Sequence, residues 1–253
     1  MTKLGCASAL LARLPLRAAL ETIAAAGYDE VDLWAVPGQC EHVRLEDEPA
    51  AVREELHRAG LGANALSIYG ARGERLDAGL EWAARAGIPR VVFESFGPDF
   101  EGFLGPYAER AAELSVEVCV ENHIDCPVDT IASAAAVLDR FPSVTLAYAP
   151  IHTEAVGESV ADALRELGPR IGLLYAWDVP AALTGEAWLR EHWHRTGDAQ
   201  LPGLGRLDFA ALAPLLPDAP RSLCAHGTAA WPPERITAEL VRSREFLAAS
   251  GWL

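Results

Sequence analysis

The segment EVCVENHIDCPVDTIASAAAVLDRFPSVTLAY, residues 117–148, carries the unit on which the whole chain is built. Glu117–Glu121 and Val144–Tyr148 are short apolar runs, the kind that lie buried on both faces of a parallel sheet. Between them Ile131, Ala134, Ala135 and Leu138 recur at the spacing of an amphipathic helix. The segment therefore predicts a strand, a helix and a second strand.

The same alternation extends in both directions. Further strand candidates are Leu4–Ala7, Glu30–Ala35, Gly62–Ser67, Arg90–Glu94, Ile171–Ala176 and Ser222–Ala225. Helical stripes run through Leu16, Leu20, Ile23 and Ala24, through Leu76, Leu80, Ala83 and Ala84, and through Ile236, Leu240 and Leu247. Gly27, Gly60 and Gly87 stand where left-handed helix caps want glycine. Eight strand–helix units in 253 residues predict one (β/α)8 TIM barrel over residues 1–253. A doubly wound sheet would usually open on a glycine-rich turn, and Cys6-Ala7-Ser8-Ala9 is not one.

Composition removes several classes of function. The net charge of −15 and the lack of a Lys/Arg run argue against nucleic acid. No apolar run is long enough to span a membrane. The N-terminus, with its internal proline, reads as mature protein rather than a signal peptide. Five scattered cysteines without a CxxC pair fit a reducing, cytoplasmic setting. Lys3 is the only lysine and precedes the first strand, so Schiff-base and pyridoxal phosphate chemistry have no amine to use. A P-loop is absent as well. A small-molecule substrate is the expected partner, and an oligomer is compatible with the sequence.

Barrel enzymes carry their chemistry at the C-terminal ends of the strands. Asp32 and Trp34 end the second strand, Glu94 the fourth, and Glu121-Asn122-His123 the fifth. His152 follows the sixth, Tyr175 and Asp178 lie at the seventh, and the eighth leads to His226. Any one of these is compatible with a solvated rim residue, and Asp32 with a cap on a buried backbone amide. Their convergence is the functional signal. Trp34, Trp177, Trp188, Trp193 and Trp231 fall near strand ends or in loops, where an indole face stacks on a sugar or a flat apolar ligand. His42 and His57 read as surface residues, and Trp82 and Trp252 as packing. The connection after the seventh strand, about residues 179–205, is long and lacks periodicity, which predicts a lid.

Several motifs are similar to those of xylose-isomerase-like barrels. YDEVDLWA (28–35) resembles their second-strand motif, VCVENHID (118–125) their fifth and VTLAYAPIHT (144–153) their sixth. LLYAWDVP (173–180) followed by LPGLGRLDF (201–209) resembles the corresponding stretch of hydroxypyruvate isomerases and related sugar isomerases and epimerases. The resemblance implies a xylose-isomerase-like barrel holding one divalent metal (Mn, Mg, Zn or Co) on four side chains. Carried over residue by residue, Glu121 matches the first ligand. Ala149 stands in place of an Asp, Tyr175 in place of His or Gln, and Cys224-Ala225-His226 where a Glu is expected. Three of the four ligands are missing, so metal binding is expected to be weak or absent. A rebuilt site would draw on Glu121 and His152, with His226 and either Glu94 or Asp178.

The resemblance implies an isomerase or epimerase that removes a proton beside a carbonyl of a sugar-like or hydroxy-keto substrate. Glu121 is the candidate base, His152 and His226 the candidate acids or electrophiles, and Tyr175 and Asp178 support them. Glu94, His123 and the five tryptophans are candidate substrate contacts. A metal-free lyase, dehydratase or cyclase is the alternative within enzymes. A catalytically silent barrel that binds a ligand or partner is the alternative outside them.

Overall fold

The computed structural model describes residues 3–94 and 99–253. Eight parallel strands follow in chain order. They are β1 (Leu4–Ala7), β2 (Glu30–Val36), β3 (Gly62–Ser67), β4 (Arg90–Glu94), β5 (Glu117–Glu121), β6 (Val144–Tyr148), β7 (Ile171–Ala176) and β8 (Arg221–Leu223). Each pairs with the next, and β8 pairs with β1, which closes the barrel. A two-residue strand, Cys40–Glu41, folds back antiparallel on the end of β2. No helix among the described residues is long and apolar enough to cross a membrane.

The helical stripes form as their spacing requires. Helix α1 (Leu16–Ala25) buries Leu20 and Ile23, and α3 (Glu74–Ala86) buries Leu76, Leu80 and Ala83. Between them α2 (Pro49–Ala59) ends on Gly60 at φ 72°, a left-handed turn that glycine adopts without strain. Helices α4 (Phe100–Glu113) and α5 (Ile131–Arg140) follow. α5 begins with a reciprocal cap: Ser133 N–H donates to Thr130 Oγ1 and Thr130 N–H donates to Ser133 Oγ. The ring continues with α6 (Pro150–Ala155), α7 (Val160–Leu167), α8 (Glu186–His192), α9 (Phe209–Leu212) and α10 (Pro233–Ala249). The largest side chains, among them Trp82 and Trp252, are fully buried, each contributing about 1.5–3 kcal/mol of burial.

The N-terminal end of the barrel is filled largely by paired polar groups, with Asn64 Oδ1 and Arg221 Nε left without partners. Arg90 donates to Glu117 at 3.1 Å and to the Asn64 carbonyl at 2.6 Å. Thr145 donates to Glu117 at 2.6 Å, and Asn64 to Ser222 at 2.9 Å. Gly172 makes room for this cluster, since a Cβ there would lie 2.2 Å from Thr145 Oγ1 and 2.3 Å from Glu117 Oε1. Lys3 pairs with Glu30 at this same end. His42, expected at the surface, is half-buried and bonds Leu14 O at 2.9 Å.

Candidate functional site

The C-terminal mouth of the barrel holds a cavity of about 400 Å³. Alternation along the strands decides what reaches it. Trp34 and Val36 of β2 line it, as do Glu94 at the end of β4 and Glu121 at the end of β5. Glu94 and Glu121 are direct neighbours in the β4–β5 register. His123, two residues past Glu121, faces the cavity, while the intervening Asn122 turns the other way. Asn122 accepts from Ala149 N–H at 2.7 Å and donates to Ala149 O at 3.0 Å, which fixes the start of α6. α6 in turn carries His152 into the wall.

A hydrogen-bonded chain runs beneath the cavity. Asp32 is fully buried and accepts from Ser67 Oγ at 2.7 Å, Trp34 Nε1 at 3.2 Å and the Tyr175 hydroxyl at 3.2 Å. Burial pushes Asp32 up to about 6, and these donors oppose the rise. The hydroxyls of Tyr175 and Tyr69 lie 3.0 Å apart, and Tyr69 bonds the Glu121 carboxyl. Burial, with Glu94 and Asp32 as like charges, pushes Glu121 up to about 8. Its neutral form therefore predominates at pH 7. The Tyr175 hydroxyl donates to Asp32, and either hydroxyl of the Tyr69–Tyr175 pair can donate to the other.

Three imidazoles face the same space. His152 is completely buried, and neither ring nitrogen has a hydrogen-bond partner. Its Nε2 lies 3.8 Å from Glu121 Oε1, too far for a hydrogen bond. Burial drives its pKa well below the usual histidine value, with His123 and His226 adding to the effect. The ring of His123 packs 4.0 Å from that of His152, and burial lowers its pKa too. His226, pushed down to about 3 by burial, sits 5.1 Å from Trp177 and 4.6 Å from Trp193. All three rings are thus neutral at pH 7, able to donate through one nitrogen and accept through the other.

The segment after β7 roofs this cavity. Instead of the irregular loop expected, it contains α8 and two short turns, Trp193–Arg195 and Asp198–Gln200. It delivers Trp193 to the wall. Gln200 anchors it: its Oε1 accepts from Trp177 Nε1 at 3.0 Å and from His226 N–H at 2.9 Å.

Several expected site residues are placed elsewhere. Asp178 is turned out of the cavity, because its neighbour Trp177 takes the inward direction. Its carboxylate accepts four backbone N–H groups, from Val179, Gly203, Gly205 and Leu207, at 2.7–3.0 Å. It holds the roof segment. Tyr175 lies one layer below the cavity lining, occupied with Asp32 and Tyr69. Trp188 stacks on His192 within α8, with centroids 4.7 Å apart, and Trp231 carries the Arg235 guanidinium 3.7 Å above its ring. Neither lines the cavity. The mouth also gathers Gln39, Tyr69, Arg75 and Cys224, which reading the strand ends did not single out. Tyr69 and Arg75 lie just past β3 in SIYGARGER (67–75), so scanning the third strand end like the others would have found them.

The residues present do not fit the divalent metal that the resemblance implies. Ala149 offers no side-chain donor, and Tyr175 spends its hydroxyl on Asp32 and Tyr69. The rebuilt set loses Asp178, which is committed to backbone amides, and Glu94 spends one oxygen on Gly70 N–H. Among the described residues no three His, Cys, Asp or Glu side chains converge as a ligand set.

Comparison with known proteins adds the following. The xylose isomerase-like TIM barrel family profile matches residues 20–243. AsbF of Bacillus anthracis, described as a probable 3-DHS dehydratase involved in petrobactin synthesis, has the same fold. Its TM-score is 0.76 at 14% identity, over 94% of this chain and 97% of that one. D-psicose 3-epimerase of Clostridium cellulolyticum H10, solved with D-tagatose, superposes at a TM-score of 0.74 and 12% identity over 100% of both chains. A fusion of a xylose isomerase-like TIM barrel with 4-hydroxyphenylpyruvate dioxygenase matches at 22% identity and a TM-score of 0.76. That match covers 99% of this chain but only 43% of the fusion. No curated protein matches the sequence significantly. At these identities the likeness is one of fold.

Proposed function

This chain belongs to the xylose isomerase-like TIM barrel family, and from the geometry of its mouth we propose that it moves a proton at a carbon beside a carbonyl, as an isomerase or epimerase of a small hydroxy-keto substrate. One observation carries this reading. His152 is buried with both nitrogens unpartnered, 3.8 Å from Glu121, in the wall of a cavity. A buried polar group left without a partner is costly, and a substrate hydroxyl or carbonyl would satisfy it.

The pair is suited to two-sided proton transfer. At pH 7 it comprises a carboxylic acid and a neutral imidazole, one donor and one acceptor with no net charge. One group takes the proton from carbon while the other protonates the carbonyl oxygen, and an enediol results. Reversing the roles returns the proton to the neighbouring carbon, or to the opposite face of the same one. A pKa near 8 makes ionised Glu121 a stronger base than an ordinary carboxylate. The walls of Trp34, Trp177 and Trp193 exclude water around the intermediate.

The protonated state of Glu121 favours a second reading, dehydration of a β-hydroxy carbonyl. There the imidazole removes the carbon-bound proton and the carboxylic acid protonates the departing hydroxyl.

The test is incubation with a panel of ketohexoses, ketopentoses and hydroxy-keto acids in D2O, followed by proton NMR. Isomerase chemistry gives deuterium at the carbon beside the carbonyl. Dehydration gives an unsaturated carbonyl instead. Either signal should fall by about 10²–10⁴-fold in Glu121→Gln. A wild-type protein inert toward the whole panel would identify a silent binder and overturn both readings.

A further inference from the structure

Arg75 lies in the first turn of α3, across the mouth from Glu121 and His152, and its side chain lines the cavity. One guanidinium nitrogen, Nη2, donates to the Ala35 carbonyl at 2.9 Å and ties the group to the end of β2. Its Nε is buried and has no partner. No carboxylate forms an ion pair with Arg75 among the described residues. The nearby acid in the cavity, Glu94, is engaged elsewhere. Its Oε1 accepts from Gly70 N–H at 2.6 Å, and its nearby positive charge is Arg72.

A guanidinium cannot shed its charge, and its fork of donors matches a carboxylate. Among the described residues Arg75 is the one Lys or Arg in the cavity lining. A phosphate dianion normally draws several donors, and here Glu94 shares the space and would oppose a second negative charge.

We propose that Arg75 is the anchor for a carboxylate on the substrate, so that the site takes a hydroxy-keto acid rather than a neutral sugar. Arg75 grips the carboxylate on the β2–β3 side of the mouth. The keto and hydroxyl carbons then extend toward Glu121 and His152 on the β5–β6 side. This deepens the proton-transfer reading by naming its substrate class.

The test measures binding, not turnover, so it separates this proposal from that reading. Benzoate, benzamide and phenylphosphonate are titrated against tryptophan fluorescence, because Trp34, Trp177 and Trp193 line the cavity. Wild type should prefer benzoate to benzamide by about tenfold to a hundredfold, the range for a charge-assisted contact. Arg75→Gln should remove the preference and leave benzamide affinity unchanged. Arg75→Met, of similar length without donors, repeats the test if Arg75→Gln does not fold. The preference should persist in Glu121→Gln, even if the protein proves inert in D2O. Equal binding of benzoate and benzamide, no benzoate binding, or a preference retained in both Arg75 variants overturns the proposal. Phenylphosphonate binding tenfold tighter than benzoate overturns the carboxylate assignment.

Discussion

The two ends of this barrel bury similar groups and pair them to different degrees, although Asn64 Oδ1 and Arg221 Nε at the N-terminal end also lack partners. At the N-terminal end, Arg90, Glu117 and Thr145 bind one another, and Asn64 donates to Ser222. At the C-terminal end, Glu121 is held near pKa 8, and both nitrogens of His152 and one oxygen of Glu94 lack partners. Strand direction separates the two. The starts of the strands meet behind short helix–strand turns and pack closed, whereas their ends open into longer segments that leave a cavity. The closed end stabilises the fold. The open end sacrifices stability for groups a ligand can satisfy.

The largest expected contrast comes from one substitution at each end. Glu121→Gln keeps the shape of the mouth, so turnover should fall by about 10²–10⁴-fold while the melting temperature at pH 7 holds or rises. Arg90→Met should do the reverse. It strips Glu117 of its cation, lowering stability by about 1–3 kcal/mol with turnover per folded molecule intact. Denaturant unfolding and activity on the same preparations check both. Loss of stability alone in Glu121→Gln would erase the distinction between the two ends.

The pH dependence of stability sharpens it further. Glu121 ionises near pH 8 in the fold against an ordinary value of 4.5. Between these the native state holds the extra proton, so stability should fall as pH rises, by about 1.4 kcal/mol per unit. Glu121→Gln should flatten that limb. His226 acts in the opposite sense, with a folded value near 3 against 6.5. The unfolded chain takes up the proton first, so stability should fall as pH drops below about 6.5. His226→Gln should relieve that loss. Thermal melts across the pH range read both slopes, and parallel curves for wild type and variants would refute the assignment of these groups.

A smaller effect is expected in the roof. Asp178→Asn replaces one acceptor oxygen with an amino group facing backbone donors, which should cost about 1–3 kcal/mol. Hydrogen exchange should quicken at Gly203, Gly205 and Leu207, the amides Asp178 now holds. The smallest effect belongs to Trp231→Ala, outside the cavity and partly buried, with the Arg235 guanidinium over its ring. It should shift stability by less than about 0.5 kcal/mol and leave benzoate binding unchanged, as fluorescence titration would show.

Much of this architecture was legible in the residue order. The strand expected at Glu30–Ala35 runs one residue further, to Val36, and the eighth lies at Arg221–Leu223 rather than Ser222–Ala225. The strand-end rule gathered Trp34, Glu94, Glu121, His123, His152, Trp177, Trp193 and His226, all of which line the mouth. It failed where a residue sits beside a strand end but points away. Asp178 has the right position and the wrong parity. Trp188 is turned onto its own helix by His192.

The sequence by itself determined the barrel, because apolar periodicity is a local property and burial rewards it identically in each repeat. It also determined that Lys3 is the one lysine and that Ala149 and Tyr175 stand at their strand ends, since these are matters of identity at a position. Only the tertiary structure decided which polar groups are left unpaired. Glu121 rises toward pKa 8 because the fold buries it, with Glu94 and Asp32 as like charges nearby. Among the described residues Arg75 has no acidic partner, and Glu94 accepts from Gly70 N–H instead. Partnership depends on distances between residues far apart in the chain, and no local pattern encodes them.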